Sequence, residues 1–262
     1  RRETKISEIM NIVILGSGNA ATHFGQAFQE LGHRIVQIYS KTKANADALA
    51  FALHCPSTDQ LSQLQRDADL YLIAVSDQAI PTLVETIPQD INGIVVHCSG
   101  ATDLDVLKRF KNAGVIYPPQ SLSKSKTIDF SAIPFCVEGN NEGNTAALLQ
   151  LAGTFSTHSI YCNSKQRLAI HLSSVMVNNF SNILYQFAYE LLEEHNLSFD
   201  LVRPIILETA EKVQNHVPIT VQTGPAIRGD EATQQKHLKF ISNKPDLQQI
   251  YQLLSQQITK RK

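Results

Sequence analysis

The chain has 262 residues, with 23 Lys and Arg against 24 Asp and Glu. That length allows one large domain or two ordinary ones with real cores, and the near-neutral, well-mixed charge argues against general binding to nucleic acid or a membrane surface. Cys55, Cys98, Cys136 and Cys162 are far apart and form no CxxC pair, which argues against a disulfide framework or a zinc site and fits reduced thiols in a cytoplasmic protein.

The first ten residues, RRETKISEIM, lack an apolar run, so no signal peptide is expected. From there to residue 163, short apolar runs alternate with helical patterns. Strands are expected at 11–15, 34–39, 70–74, 93–97, 114–117, 134–138 and 158–161. Helices are expected at 20–31, 43–51, 80–87, 103–111 and 142–155. That alternation predicts a doubly wound, mainly parallel α/β sheet with right-handed crossovers. After Asn163 the strand signals vanish. Helical patterns at 165–195, 199–214, 230–241 and 246–259 predict an all-helical domain, so the boundary is placed at 163/164. The uncharged stretch 168–189 has membrane length, but three Ser, three Asn, Gln186 and His171 argue against a transmembrane helix.

Directly after the first strand stands Gly16-Ser17-Gly18-Asn19-Ala20-Ala21. In a dinucleotide turn Gly16 permits the tight bend and Gly18 lets the backbone approach a pyrophosphate. A small residue at 21 then lets helix and strand pack closely. The second strand ends Tyr39-Ser40-Lys41-Thr42-Lys43, with no acid between Glu30 and Asp47. An NAD site usually places a carboxylate there for the ribose hydroxyl. Hydroxyls and a cation suit a 2′-phosphate instead, which favours NADP(H) over NAD(H) and also weakens an S-adenosylmethionine reading. Tyr39–Lys43 and Tyr161–Lys165 share the Tyr-x-x-x-Lys spacing of short-chain dehydrogenases, but the glycine spacing is wrong and both are taken as chance.

On the long helix from Ser164, residues Arg167, His171, Ser174, Asn178, Asn182 and Tyr185 fall within about 60° of His171 at 100° per residue. The rest of the circumference is mostly apolar, as in a buried helix. The stripe then lines either a cleft beside a nicotinamide or a buried seam between subunits. His171 is the candidate general acid or base. In TGPAIRGDEATQQKHL, Arg228 offers an anion-binding fork and Asp230 suits a helix N-cap.

These segments together resemble a family of NADP oxidoreductases of unassigned substrate, which join a Rossmann-like domain to a helical domain. The family is distantly related to 6-phosphogluconate, ketopantoate and deazaflavin-dependent NADP oxidoreductases. The resemblance rests on ILGSGNAATHF, IYSKTKANADAL, LIAVSDQAI, VVHCSGATDLDVL, YPPQSLS, HLSSVMVNNFSNILY and the 223–238 segment. It implies that Gly16, Ser17, Gly18 and Asn19, with Ala20 beside them, hold the pyrophosphate, and that Ser40, Lys41 and Thr42 meet the 2′-phosphate. Val75, Ser76 and Asp77 would border the ribose and nicotinamide, while Ser99, Gly100 and the 118–121 loop line the reaction side. The helical domain of such proteins usually dimerises, so Arg228 and Asp230 would complete a partner's cleft in a homodimer. The leading reading of the residues is then hydride transfer between NADP(H) and a small carbonyl or imine substrate in an interdomain cleft, with Arg228 pointing to an anionic one. His171 is the candidate proton donor, and Asn178, Asn179 or Asn182 with Arg228 are the candidate substrate holders. The alternative is a non-catalytic NADP(H) sensor or scaffold. Tyr117-Pro118 stands where relatives often carry His-Pro, and the catalytic lysine of hydroxyacid dehydrogenases has no clear counterpart.

Overall fold

The computed structural model describes residues 9–123 and 126–261. The first eight residues, on which most of the signal-peptide reading rests, lie outside them. Residues up to Val177 form one compact unit, and Asn178 onward forms a second.

The first unit is built on strands β1 (Asn11–Leu15), β2 (Arg34–Tyr39), β3 (Ser57–Thr58), β4 (Leu70–Ile73), β5 (Ile94–His97), β6 (Ala113–Tyr117), β7 (Phe135–Gly139) and β8 (Ser159–Tyr161). They form one sheet in the order β3-β2-β1-β4-β5-β6-β7-β8. Every neighbouring pair is parallel except β6 and β7. Helices α1 (Asn19–Glu30), α2 (Lys43–Ala52), α3 (Ile80–Thr86), α4 (Glu142–Phe155) and α5 (Ser164–Ser174) complete the unit.

The central strands are unbroken apolar runs because both faces of the sheet are covered. Ile12, Ile14 and Leu72 point into one core with Phe24, Phe28, Phe130, Phe135 and Phe155. Val13, Leu15 and Ile73 point into the other with Ile80, Val84 and Phe110. The doubly wound architecture is therefore as expected.

Three details differ from the sequence reading. The helix expected at 103–111 is a short 3₁₀ segment, Leu104–Leu107, capped by the Asp103 carboxylate, which accepts from the Asp105 N–H. The two-residue β3 was missed, being too short to show alternation. The helix expected to run unbroken over 165–195 is interrupted by a π-helical segment, Val175–Phe180. Its i→i+5 bonding winds the chain more slowly than an α-helix, so a stripe laid out at 100° per residue slips beyond Ser174.

The second unit holds α6 (Ser181–Glu193), α7 (Arg203–Asn215), α8 (Pro225–Arg228), α9 (Glu231–Phe240) and α10 (Pro245–Thr259). Only Ala226 and Ile241 are buried among its described residues. The apolar circumference expected to be buried is open in the single chain: Phe180, Ile183 and Leu184 are exposed, as are Leu168, Leu172 and Met176 on the preceding helical stretch.

Candidate functional site

In a parallel sheet the carboxyl ends of the strands face one edge, where α/β proteins bind ligands. Strands β2, β1, β4, β5 and β6 are mutually parallel, so residues following each of them share that edge.

The first feature along this edge is the glycine turn after β1. Gly16 has φ of +130°, and a Cβ there would lie 2.2 Å from the Ala74 carbonyl oxygen. No other residue fits. A Cβ on Gly18 would meet nothing within 4 Å, so the turn has open space in front of it. Gly18 is the N-cap of α1, no side chain caps the helix, and its first turn carries no acid. Uncapped N–H groups at the positive end of the helix dipole are ready for an anion. Close packing of α1 involves two positions: Ala21 is fully buried, and a Cβ at Gly25 would lie 2.5 Å from Leu53 Cδ1 at the end of α2 and 3.3 Å from Ile14 Cδ1 on β1.

A cavity of about 820 Å³ opens over this turn. It is lined by Gly16, Ser17, Gly18, Asn19 and Ala20, by Ser40 and Lys41 after β2, and by Val75 and Ser76 after β4. Nine of the expected cofactor residues thus surround one space. The Ser17 and Ser40 hydroxyls lie 2.9 Å apart, joining the turn to the end of β2. Lys43 is occupied by Asp47 and Ser57, whereas Lys41 is exposed and has no salt bridge among the described residues. The hydroxyls, the lysine and the uncapped helix end fit a phosphorylated dinucleotide.

Thr42, Asp77 and Ser99, also expected around the cofactor, lie outside the cavity lining. Thr42 is the N-cap of α2. Ser99 folds its own loop: its hydroxyl accepts from the Ala101 and Thr102 N–H groups and donates to Thr102 Oγ1 at 2.9 Å. Sequence reasoning missed the far wall, which includes Leu61, Thr82, Leu83 and Thr86. The i, i+4 pair Thr82 and Thr86 on α3 was the available signal.

At the other end of the edge, Tyr117 closes β6 and its hydroxyl lies 3.1 Å from His171 Nδ1. The rings meet edge to face, with centroids 5.9 Å apart at 71°. Gly100, after β5, makes this possible. A Cβ there would lie 2.6 Å from His171 Nδ1 and 2.7 Å from Tyr117 Cζ. The phenol is held above its usual pKa range, first by burial.

His171 owes its position to the start of α5. Asn163 and Gln166 form a reciprocal capping box. Ser164 Oγ accepts from the Leu104 N–H and donates to Glu138 Oε2 at 2.8 Å. Arg167, 1% exposed, pairs with Glu138 at 2.5 Å and donates to the Thr102 carbonyl at 2.7 Å. Arg167 therefore anchors the helix one turn before His171 rather than meeting a ligand. Nearby, His97 is fully buried and accepts from the Ser99 N–H. Burial holds it neutral, with a pKa of about 3. Burial likewise pushes the Cys98 thiol to about 12.

The 118–121 loop, expected on the reaction side, runs into residues 122 and 123, which are tied to α1. Asn19 Nδ2 donates to the Leu122 carbonyl at 2.8 Å, and His23 Nε2 lies 2.9 Å from the Ser123 carbonyl. Asn19 thus lines the cavity while its side-chain amide holds the loop. In the second unit Asn178 and Asn182 are exposed, and Arg228 is exposed with no salt bridge among the described residues. Asp230 caps α9, accepting from the Thr233 N–H and hydroxyl. Among the described residues no group of three potential metal ligands converges.

Comparison with known proteins places this geometry. A Rossmann-like domain model matches residues 3–120, and a domain of unknown function, DUF2520, matches residues 133–258. Comparison with curated protein sequences gives no match. Among solved structures, a Bacteroides fragilis protein described as a putative NADP oxidoreductase is 36% identical. The alignment covers 96% of this chain and 98% of that one, with a TM-score of 0.85. A Thermotoga maritima protein is 20% identical over 95% of this chain and 97% of its own, with a TM-score of 0.74. A reductive aminase from Aspergillus terreus, solved with NADPH and ethyl-5-oxohexanoate, shares the fold at 13% identity, 97% and 94% coverage and a TM-score of 0.68. The chain belongs to the family, joining a Rossmann-like domain to the DUF2520 domain, that includes the Bacteroides fragilis protein.

Proposed function

We propose that the protein is an NADP-dependent oxidoreductase that reduces a small C=O or C=N substrate, with His171 supplying the proton. One observation carries the reading: an anion-ready glycine turn and a buried-phenol–imidazole pair stand on the same edge of one parallel sheet. NADPH, when bound, would supply the hydride. The chain's own part is to hold the pyrophosphate on the N–H groups of residues 16–20 and to meet the 2′-phosphate with Ser40 and Lys41. Residues 75 and 76 would border the ribose, and His171 would pass a proton to the substrate heteroatom. The description of the B. fragilis relative and the NADPH in the reductive aminase support the cofactor assignment. Arg228 is the proposed substrate anchor in the helical unit; Arg228→Ala should raise the substrate KM.

The homodimer belongs to the same proposal. A helical segment of this length with two buried residues among those described has too little core to stand alone, since small domains are marginal even with a complete one. Phe180, Ile183, Leu184, Leu253 and Leu254 are exposed, and a second copy would cover such a surface by a two-fold contact.

The test is thermal unfolding with NADPH, NADH or S-adenosylmethionine. A ligand at about 100 times its Kd stabilises by about 2.7 kcal/mol, which raises the midpoint by roughly 5–10 °C. NADPH should exceed NADH clearly, and NADPH oxidation with a panel of carbonyls and imines should then identify a substrate class. No shift with NADPH removes the cofactor assignment. A shift that comes with a changed oligomeric state and no turnover favours the sensor alternative.

A further inference from the structure

We infer that Tyr117 is the positioning residue of the proton donor: its phenol oxygen accepts the Nδ1–H of the His171 imidazolium, leaving the Nε2 proton for transfer. The inference rests on the reading of His171 as proton donor and adds a partner to it.

Two observations meet here. The phenol oxygen lies 3.1 Å from Nδ1. Gly100 removes the side chain that would separate the rings. A tyrosine hydroxyl both donates and accepts, so the phenol oxygen can receive the Nδ1–H of an imidazolium.

In the transfer, the Nε2–H bond breaks and a bond from that proton to the substrate oxygen or nitrogen forms. When bound, NADPH would supply the hydride that reduces the attached carbon and would itself become NADP+. His171 is left neutral with its hydrogen on Nδ1, still held by Tyr117, and regains the Nε2 proton from solvent. Tyr117 is a poor acid here because burial raises its pKa, which suits an orienting group that keeps its proton. The other charged or titratable groups bearing on the phenol are Asp77 after β4, Cys136 on β7 and Arg167 on α5. Arg167 is already paired with Glu138.

The experiment is an NMR titration of the His171 imidazole in the cofactor-free protein, assigned against His171→Gln, in the wild type and in Tyr117→Phe. Hydrogen bonds to a charged group exceed those to a neutral one by roughly 1 kcal/mol, so loss of the hydroxyl should lower the His171 pKa by roughly half a unit to one unit. Gly100→Ala keeps both rings but places a Cβ 2.6 Å from His171 Nδ1 and 2.7 Å from Tyr117 Cζ. By parting the pair it should lower the pKa as well, and it serves in its own right if Tyr117→Phe does not fold. NADPH affinity should be unchanged in both variants, while the kcat pH profile of an active substrate moves with the imidazole. If His171 titrates in the folded variants within about 0.2 unit of the wild type, Tyr117 is only packing and the inference falls. Because the titration needs neither cofactor nor turnover, that result is distinct from a failure of the oxidoreductase reading, which would appear as no NADPH binding or no turnover in the wild type.

Discussion

Replacing Arg167 by Met should destabilise the first unit far more than its distance from the glycine turn suggests. Arg167 is 1% exposed and Glu138 11%, and they pair at 2.5 Å. Removing the arginine leaves a nearly buried carboxylate with one remaining side-chain donor, the Ser164 hydroxyl. It also removes the bond to the Thr102 carbonyl. Breaking such a pair from one side costs about 3–5 kcal/mol, whereas replacing both members with apolar groups costs much less. Arg167→Met with Glu138→Leu should therefore recover most of the loss. The double variant retains a cost of roughly 1–3 kcal/mol for the Thr102 carbonyl and the Ser164 hydroxyl. The two units need not unfold together, and the chain has no tryptophan to report on either. The assay is accordingly a urea titration read by hydrogen–deuterium exchange on peptides covering β7 and α5. A cost below about 1 kcal/mol for Arg167→Met, or a double variant no more stable than the single one, would refute the anchoring argument. His171 would then need another explanation for its fixed place.

The remaining predictions concern the two ends of the molecule and its acid limb. Gly18→Val should fold normally, because its Cβ meets nothing within 4 Å, yet lower NADPH affinity at least roughly a hundredfold by filling the space for the pyrophosphate; calorimetry checks this. Lys41→Ala should reduce the preference for NADPH over NADH roughly tenfold, the value of one charge-assisted bond; an unchanged ratio of dissociation constants would move the 2′-phosphate elsewhere. Leu184→Asp, on the exposed face of α6, should convert a dimer to monomers or aggregates in sedimentation. His97 is neutral with a pKa of about 3 in the folded chain and about 6.5 unfolded. The unfolded state thus binds more protons between those values, and stability falls by up to about 1.4 kcal/mol per unit as pH drops through that window. His97→Gln should flatten that limb of the stability curve.

What could be read in the residues divides along a physical line. The strands were legible because NIVIL, LYLI and their neighbours are continuous β-favouring runs that only a doubly covered sheet can bury. The glycine turn was legible because its chemistry is backbone chemistry, and Gly16 is demanded by one carbonyl oxygen 2.2 Å from where its Cβ would be. The errors arose where periodicity was extended past what holds it. The stripe on the long helix joined Arg167, His171, Asn178 and Asn182 on one assumed face, and two local facts break that set. Arg167 turns inward to Glu138, a partner 29 residues away that no helical spacing reveals, and the π segment displaces everything after Ser174. The apolar circumference was read as burial, yet burial depends on what covers a surface, and a single sequence does not state whether the cover is its own chain. Tyr117 was visible only as an oddity at the end of a strand. Its meaning depends on Gly100 and His171, which stand 17 residues before it and 54 after it. The sheet brings them together, and the missing Cβ at Gly100 then joins phenol to imidazole. The glycine that follows Ser99 on the expected reaction side is thus what makes the proposed proton donor a pair.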